Sequence, residues 1–498
     1  MKKRIQLIGI FLIIANSIFA QECFYNPKKT TDYVVSGNFT QKNSNDKVIN
    51  DVVMLSNLHT IGALRINTLT SDGSGDGDGK RIVKKGVDLI NYDLANVNGR
   101  MVRGDFDNDG HIDDFILINK TGVSSMRFDL FKSNGASDPV FTQSSVFTLN
   151  GYDPDKITGR VVSGDFDNDG YWDDIAAFYD YGNGETRIHT FRSNASTFLY
   201  SGSAGWWSST GYNATKTTDR VVSGDFDRDG SVDDIAAFYD YGNGETRIHV
   251  WLSGGTNFTY QSSVGWWGAT GYDAAKVSKR VLSLNIDRDG TNYDDIAVFY
   301  EYENGKPKLH VFESNGSSFD YSGPSEWWSG SKISTSTVPN ADYKASFFSG
   351  KIVEYDSRRS SLTQGKPSDI IGFYNYLTSS YLFWKSKKKF NKSYIDYSEP
   401  QYCDGIIYSK NASLPIIDKL AIKAYPNPTK SFTVIEIPKL LIDDTSRIEV
   451  HNLYGRLVLS NVVKSSSVKI DLSKQKPGVY IVKVIGRKSS NVLKIVKD

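Results

Sequence analysis

Between Arg220 and Trp267 the hydrophobic and polar positions fall into four short runs with strand-like patterning. Arg220 to Phe226 begins with β-branched residues. Asp234 to Tyr241 contains Ile235-Ala236-Ala237-Phe238-Tyr239, apolar on both faces as in a fully buried strand. Thr246 to Leu252 alternates, with Arg247, His249 and Trp251 on one face and Ile248, Val250 and Leu252 on the other. Asn257 to about Trp267 is the fourth run. Gly242-Asn243-Gly244 and Ser253-Gly254-Gly255-Thr256 are the hairpin turns. The pattern predicts one unit of four antiparallel strands.

The unit returns every 60 residues, starting near Arg100, Arg160, Arg220 and Arg280. An earlier copy starts near Asp32 with Val34-Val35-Ser36-Gly37-Asn38-Phe39. A degenerate sixth runs through Phe347-Phe348-Ser349-Gly350 and Asp369-Ile370-Ile371-Gly372-Phe373-Tyr374. Four strands per unit at a fixed period predict an all-β chain folded as a β-propeller; a solenoid usually has shorter units. The count is six blades, or seven if the two ends contribute a composite blade. The propeller is expected over residues 21–415. Residues 416–498 show alternating strands with Gly turns and predict a small Ig-like β-sandwich.

Between the first and second strands of the unit lies Asp225-Phe226-Asp227-Arg228-Asp229-Gly230-Ser231-Val232-Asp233. Its carboxylates occupy positions 1, 3, 5 and 9, Gly230 at position 6 permits a sharp turn, and the carbonyl of Ser231 at position 7 is the natural backbone ligand. This spacing wraps oxygens around one point, which is what Ca2+ requires. An EF-hand would place Glu at position 12, where this chain has Ala236, and would have helical flanks. The loop recurs with Asp105, Asp107, Asp109, His111 and Asp113, and with Asp165, Asp167, Asp169, Tyr171 and Asp173. A fourth copy, Asn285, Asp287 and Asp289, has one extra residue before Asp294. Without a cation, four carboxylates at these offsets would repel one another.

The Gly-Asp-Phe-Asp-x-Asp-Gly loop and the Asp-Asp-Ile-Ala strand after it resemble the FG-GAP and VCBS-type repeats, the calcium-loop propeller repeats also found in the integrin alpha headpiece. The resemblance spans roughly residues 30 to 400. The Phe-Gly and Gly-Ala-Pro boxes are absent, so it rests on the calcium half of the repeat. It implies a secreted binding or adhesion scaffold. Near the C-terminus, Tyr425-Pro426-Asn427-Pro428, Tyr454-Gly455-Arg456 and Pro477-Gly478-Val479-Tyr480 closely resemble the type A sorting domain of type IX secretion. That resemblance implies passage across the outer membrane, with release or attachment at the cell surface, and the type IX machinery as a partner.

Composition agrees with this reading. Lys2, Lys3 and Arg4 precede an apolar run from Ile5 to Phe19, and Ala20 ends an expected signal peptide over residues 1–20, with no further span in the mature chain. Residues 1–417 carry a net charge of −7 and residues 418–498 a net +8. An acidic body argues against nucleic acid as a partner. Cys23 and Cys403 flank the first and sixth units, and a ring closure would bring them into a disulfide.

No catalytic constellation stands out: the chain has no Cys-rich zinc pattern, no phosphate-binding Gly loop and no Gly-x-Ser-x-Gly elbow. The residues picked out for ligand binding are Trp207, Trp267 and Trp328, each the second of a Trp pair, with Arg187, His189, Arg247 and His249 on the third strand. Adjacent residues on a strand face opposite ways, so one ring of each pair is expected in the core and the other exposed, where an indole suits the apolar face of a sugar. The expected function is therefore non-catalytic carbohydrate binding at the cell surface. Protein–protein adhesion is the alternative, and a propeller hydrolase or lyase acting on polysaccharide the third reading.

Overall fold

The computed structural model describes residues 30–40, 51–58, 63–71, 81–90, 92–137, 139–287, 293–323, 328–329, 333–335, 338–341, 344–355, 369–376, 378–385, 394–398, 423–437, 446–452, 456–485 and 490–498. The signal segment 1–20, Cys23, Cys403 and Asp289 lie outside them. The chain divides into two compact units, residues 1–407 and 408–498.

The first unit is built of antiparallel sheets in a blade-like arrangement, and the helical turns among its described residues are short 3-10 turns. Six sheets of four or five strands follow one another along the chain, with strands ordered as they occur, and a two-stranded sheet of Ile333–Thr335 and Val338–Ala341 lies in sequence between the fifth and sixth. Their first strands are Thr30–Gly37, Met101–Gly104, Val161–Gly164, Val221–Gly224, Val281–Leu284 and Ile352–Tyr355. In the fourth sheet, Asp234–Gly242 and Glu245–Ser253 follow as a hairpin with Phe238 opposite Ile248 and Tyr239 opposite Arg247.

The fourth run differs from expectation. In the third and fourth sheets it is two strands, Phe198–Tyr200 with Trp207–Ser209 and Phe258–Tyr260 with Trp267–Thr270, each pairing separately with the third strand. The break follows from Gly205 and Gly265, at φ +70° and +77°. A Cβ there would stand 2.6 Å from the carbonyl oxygen of Ile188 or Ile248. Only glycine accepts both the left-handed backbone and that approach.

Apolar side chains gather between successive sheets. Leu55 meets Phe131, Phe128 meets Phe191, Phe178 meets Trp251, Phe238 meets Phe312, and Phe299 meets Ile370. A sixth cluster joins Val353 and Phe373 of the last sheet to Val52 and Met54 of the first. An arginine before four of the first strands pins these interfaces. Arg160, 5% exposed, donates from Nε to the Phe178 carbonyl and from its terminal nitrogens to Lys156 O and to Thr218 Oγ1 beyond the third sheet. Arg100, Arg220 and Arg280 repeat the arrangement, with Nη1 donating to Thr158, Ser278 and Ser349 respectively. Burying so many donors is tolerable because backbone and hydroxyl oxygens accept from them.

In the second unit a three-stranded sheet (Lys423–Tyr425, Phe432–Glu436, Ser467–Asp471) and a four-stranded sheet (Leu457–Val462, Arg447–Asn452, Gly478–Ile485, Ser490–Lys497) enclose one core. Ile435 and Ile470 come from one sheet, and Ile448, Val450, Val482 and Ile495 from the other. Alternate residues face inward, as the period-two pattern requires.

Candidate functional site

Two repeated constellations emerge in the first unit. The first is the acidic loop. After each first strand the chain turns through Gly110, Gly170 or Gly230, at φ +90°, +95° and +103°. Asp105 draws the loop closed by accepting the backbone N–H groups of Asp109 and Gly110, both at 2.9 Å, and Asp165 does the same for Asp169 and Gly170. The position 5 carboxylates accept from the N–H of His111, Tyr171 and Ser231, fixing the residues whose carbonyls stand at position 7. In each loop the carboxylate oxygens at positions 1, 3 and 5 come within 4.8 Å of one another: Asp105, Asp107 and Asp109; Asp165, Asp167 and Asp169; Asp225, Asp227 and Asp229.

Position 9 is deeper. Asp173 and Asp233 are at most 1% exposed, and Oδ1 of each, like Oδ1 of Asp167, is buried without a hydrogen-bond partner. Asp113 is buried too and groups with Asp107 and Asp114. Burial, reinforced by neighbouring carboxylates, pushes Asp105 and Asp165 up to about 6, Asp173 up to about 7 and Asp233 up to about 8. An all-oxygen donor set with orphaned buried oxygens fits a hard divalent cation.

The fourth loop differs. Its extra residue lets Asp294 reach the preceding loop, where Oδ2 accepts the Asp225 N–H at 2.9 Å and its own N–H donates to Asp225 O. Asn285, Asp287 and Asp294 are buried, but among the described residues they form no carboxylate cluster like the other three.

A further set of acidic residues was not singled out by spacing. Asp174 Oδ1 accepts the Ser193 N–H and Oδ2 the Asp167 N–H. Asp234 and Asp295 hold Ser253 and Ser314 in the same way, along with the backbone of their own loops, and Asp114 holds Ser133. These carboxyls, at position 10 in the first three loops and one residue later in the fourth, clamp the loop to the end of the third strand. Burial pushes Asp114 and Asp234 up to about 9 and Asp174 up to about 8. Their signal was present in the sequence as the second Asp of each Asp-Asp pair.

The second constellation is aromatic. His189 and His249, each 1% exposed, sit inside tyrosine cages. The ring nitrogens of His189 lie 3.3 Å from Tyr181 Oη and 3.1 Å from Tyr152 Oη; those of His249 lie 3.2 Å from Tyr241 Oη and 3.3 Å from Tyr212 Oη. Desolvation pulls both down to about 4, so they are neutral at physiological pH. His310 repeats the cage with Tyr302 and Tyr272. Arg187 and Arg247 stand outside, with guanidinium carbons 4.5 and 4.7 Å over Tyr181 and Tyr241, bonded to Glu185 and Glu245 and donating to the Ser203 and Ser263 carbonyls.

The expected division of each Trp pair into one core and one exposed ring is not found. Trp206, Trp207 and Trp267 are half-buried and Trp266 is buried. Trp207 packs 5.3 Å from Trp251 and 5.6 Å from Tyr260 of the next sheet, and Trp267 packs 4.8 Å from Phe312. Trp206 and Trp266 each lie 5.5 Å from a phenylalanine of the next sheet. The backbone of Trp328 pairs with Leu309; its side chain lies outside the described residues.

Residues 423–498 match the family described as the secretion system C-terminal sorting domain. The protein therefore travels by type IX secretion to the cell surface or the medium, and its tail meets that machinery. Among the described residues no helix is long and apolar enough to cross a membrane. No curated protein matches the chain. Solved structures similar to it include AofleA from Arthrobotrys oligospora, 9% identical over 74% of this chain and 86% of that one with a TM-score of 0.40. PorZ, a surface component of the type IX system of Porphyromonas gingivalis, is 10% identical over 90% of this chain and 68% of that one, with a TM-score of 0.26. At these values neither carries an argument about ligand or activity.

Proposed function

We propose that the protein is a secreted, calcium-stabilised β-propeller of the FG-GAP/VCBS type, with six blades, that binds carbohydrate at the cell surface without catalysis. The blade count is supported by six sheets with six apolar clusters between them, one of which joins the last sheet to the first. Ca2+ is supported by the three acidic loops, where the carboxylates at positions 1, 3 and 5 cluster and Oδ1 of Asp167, Asp173 and Asp233 is buried without a hydrogen-bond partner. The cation would be held by the side chains at positions 1, 3, 5 and 9 and the carbonyls of His111, Tyr171 and Ser231. It would neutralise the loops without taking part in any reaction. A disulfide between Cys23 and Cys403 belongs to the same proposal, as the lock on the ring.

The observation that carries the ligand class is a repeated aromatic ridge at the same place in adjacent sheets: half-buried Trp207 packs against Tyr212 and Tyr260, and half-buried Trp267 against Tyr272 and Tyr321. Arg187 over Tyr181 and Arg247 over Tyr241 lie on the opposite face of each Trp's own sheet. Indole and tyrosine faces suit sugar C–H surfaces, and the guanidinium groups suit hydroxyls. His189 and His249 hold the tyrosines from behind. Trp328, at the corresponding place in the sequence of the next unit, is proposed as the third copy. A glycan array with and without Ca2+, repeated with Trp207→Ala, Trp267→Ala and Trp328→Ala, tests this. Binding to polymeric glycans that falls stepwise with each substitution supports it. An array silent in both conditions moves the assignment to protein–protein adhesion.

A further inference from the structure

The next-to-last residue of the first strand of each of the six sheets traces a ring around a common cavity of about 500 Å³. Four of the six are serine: Ser36, Ser163, Ser223 and Ser283. The other two are Arg103 and Glu354. The hydroxyls lace neighbouring strands, Ser163 Oγ donating to Arg103 O at 2.6 Å and Ser223 Oγ to Ser163 O at 2.7 Å. Arg103, 7% exposed, donates to the Ser36 carbonyl and hydroxyl and pairs with Glu354 at 2.5 Å. A third departure from the repeat stands beside them. Position 8 of the acidic loop is Ile112 in one unit and Val232 in another, but Trp172 between them. The Arg103 guanidinium lies 5.1 Å over the Trp172 ring, whose Nε1 donates to Ser163 Oγ.

Three breaks in an otherwise repeated lining thus meet at one place, and architecture does not require them. Serines already close the ring on other strands, and a buried ion pair is weak evidence for stability. Two polar atoms of the lining, Ser283 Oγ and His111 Nδ1, are buried without a hydrogen-bond partner. Donors from Arg103, acceptors from Glu354, hydroxyls and one indole face converge in a volume within the roughly 300–1,000 Å³ usual for small-molecule sites. We infer that this cavity is a site for a single neutral sugar ring, distinct from the Trp ridge. Its hydroxyls would exchange hydrogen bonds with Arg103, Glu354 and Ser283, and its C–H face would pack on Trp172. This rests on the carbohydrate reading above and adds to it a site for a chain end or free sugar, where the ridge engages polymers.

The test restores the repeat. Arg103→Ser with Glu354→Ser gives six serines, and Trp172→Val gives the residue of the neighbouring loop. Methyl glycosides of the common hexoses and N-acetylhexosamines are titrated into the full-length secreted protein in Ca2+, read by tryptophan fluorescence and calorimetry. Wild type should bind at least one glycoside. The double variant should bind it roughly tenfold or more weakly, as expected for loss of charged hydrogen bonds, with an unchanged melting temperature. Trp172→Val should also remove the fluorescence change. Glu354→Gln, which keeps the volume, replaces the double variant should that one not fold. Equal affinity in wild type and these variants overturns the inference, as does a wild type that binds polymers through Trp207 and Trp267 but no glycoside. Neither result touches the ridge. A wild type that binds neither polymer nor glycoside removes the carbohydrate reading and this inference together.

Discussion

The acidic loops and the aromatic ridge repeat with the same 60-residue step, yet their chemistry is opposite. In the ridge the titratable side chains have found partners within the protein: His249 is bonded by Tyr241 and Tyr212, and Arg247 by Glu245 and the Ser263 carbonyl, although Trp251 Nε1 is buried without one. In the loops, like charges face one another and Asp173 Oδ1 and Asp233 Oδ1 are buried with nothing to accept from. Repetition is common to scaffold and site, so it does not separate them. What separates them is whether the buried polar groups are satisfied. The titratable groups of the ridge are satisfied as they stand; those at position 9 of the second and third loops are not.

Removing Ca2+ should therefore have the largest effect. A ligand that binds only the native state stabilises it by about 2.7 kcal/mol at a hundredfold excess over its dissociation constant. Three independent loops would give about 8 kcal/mol on the same rule. Calorimetric unfolding in Ca2+ and in excess chelator measures this, and coincident transitions would remove the distinction between loops and ridge. Asp233→Ala should abolish one equivalent of binding in a calcium titration.

The ridge makes the reverse prediction. Trp267→Ala deletes a half-buried ring packed on Phe312, and should cost about 2 kcal/mol, roughly half the cost of truncating a fully buried aromatic. The loss should be the same in Ca2+ and in chelator. A Trp267→Ala protein that melts with wild type would mean the ring serves ligand alone.

Much of this was legible in the sequence, because a four-strand unit with a fixed step leaves few solutions. Positions 1, 3 and 5 of the loops could be read from spacing, since a chain that turns at Gly230 must bring Asp225, Asp227 and Asp229 together. The Trp pairs were harder. Adjacent residues on a flat strand face opposite ways, and that rule predicted one exposed ring. Gly205 and Gly265 break the strand just before the first two pairs, so the rule did not apply to them. Bonds between units were invisible to it as well. Nothing local in the sequence says that Arg160 reaches Thr218, or that Asp294 spends its side chain on Asp225.

Acid and base should sharpen the contrast. In chelator, the loop carboxyls have folded-state values raised above those of the unfolded chain. The native state then holds protons that the unfolded state has released, and stability falls as pH rises through the folded values. For Asp173, Asp174, Asp114, Asp233 and Asp234 these values run from about 7 to about 9. The caged histidines work the other way: values lowered to about 4 mean stability present above pH 6.5 and lost as pH falls toward 4. The raised carboxyls outnumber the three histidines, so the chelated protein should lose stability as pH rises from about 4 to about 9, with the histidines making the slope shallower between pH 4 and 6.5. With Ca2+ present the alkaline decline should vanish, because the cation requires the ionised carboxylates. A chelated protein whose melting temperature rises from pH 7 to 9 would show that the loops are not under charge strain.

The smallest effect concerns communication between loops. With its amide oriented to satisfy its neighbours, Asn108 of the first loop donates to Asp105 O at 3.1 Å and to Asp173 Oδ2 of the second at 2.9 Å. Asn168 likewise bridges Asp165 O and Asp233 Oδ2, the latter at 2.8 Å. Asp105 and Asp165 also donate their backbone N–H groups to Trp172 O and Val232 O of the following loops. A cation that orders one loop thus fixes one oxygen of the position 9 carboxylate in the next and leaves Oδ1 for that loop's own cation. Calcium binding should be positively cooperative across the three loops, with a coupling of about one hydrogen bond, 0.5–1.5 kcal/mol per junction. Asn168→Ala should lower the Hill coefficient of a calcium titration while leaving three equivalents bound. Arg228 occupies the same position in the third loop, where it lies over Tyr293, so the chain of amide bridges ends there and the cooperativity should not extend to the fourth loop. Three identical, independent sites in both wild type and Asn168→Ala would leave the loops satisfied one at a time, and the lacing between them purely structural.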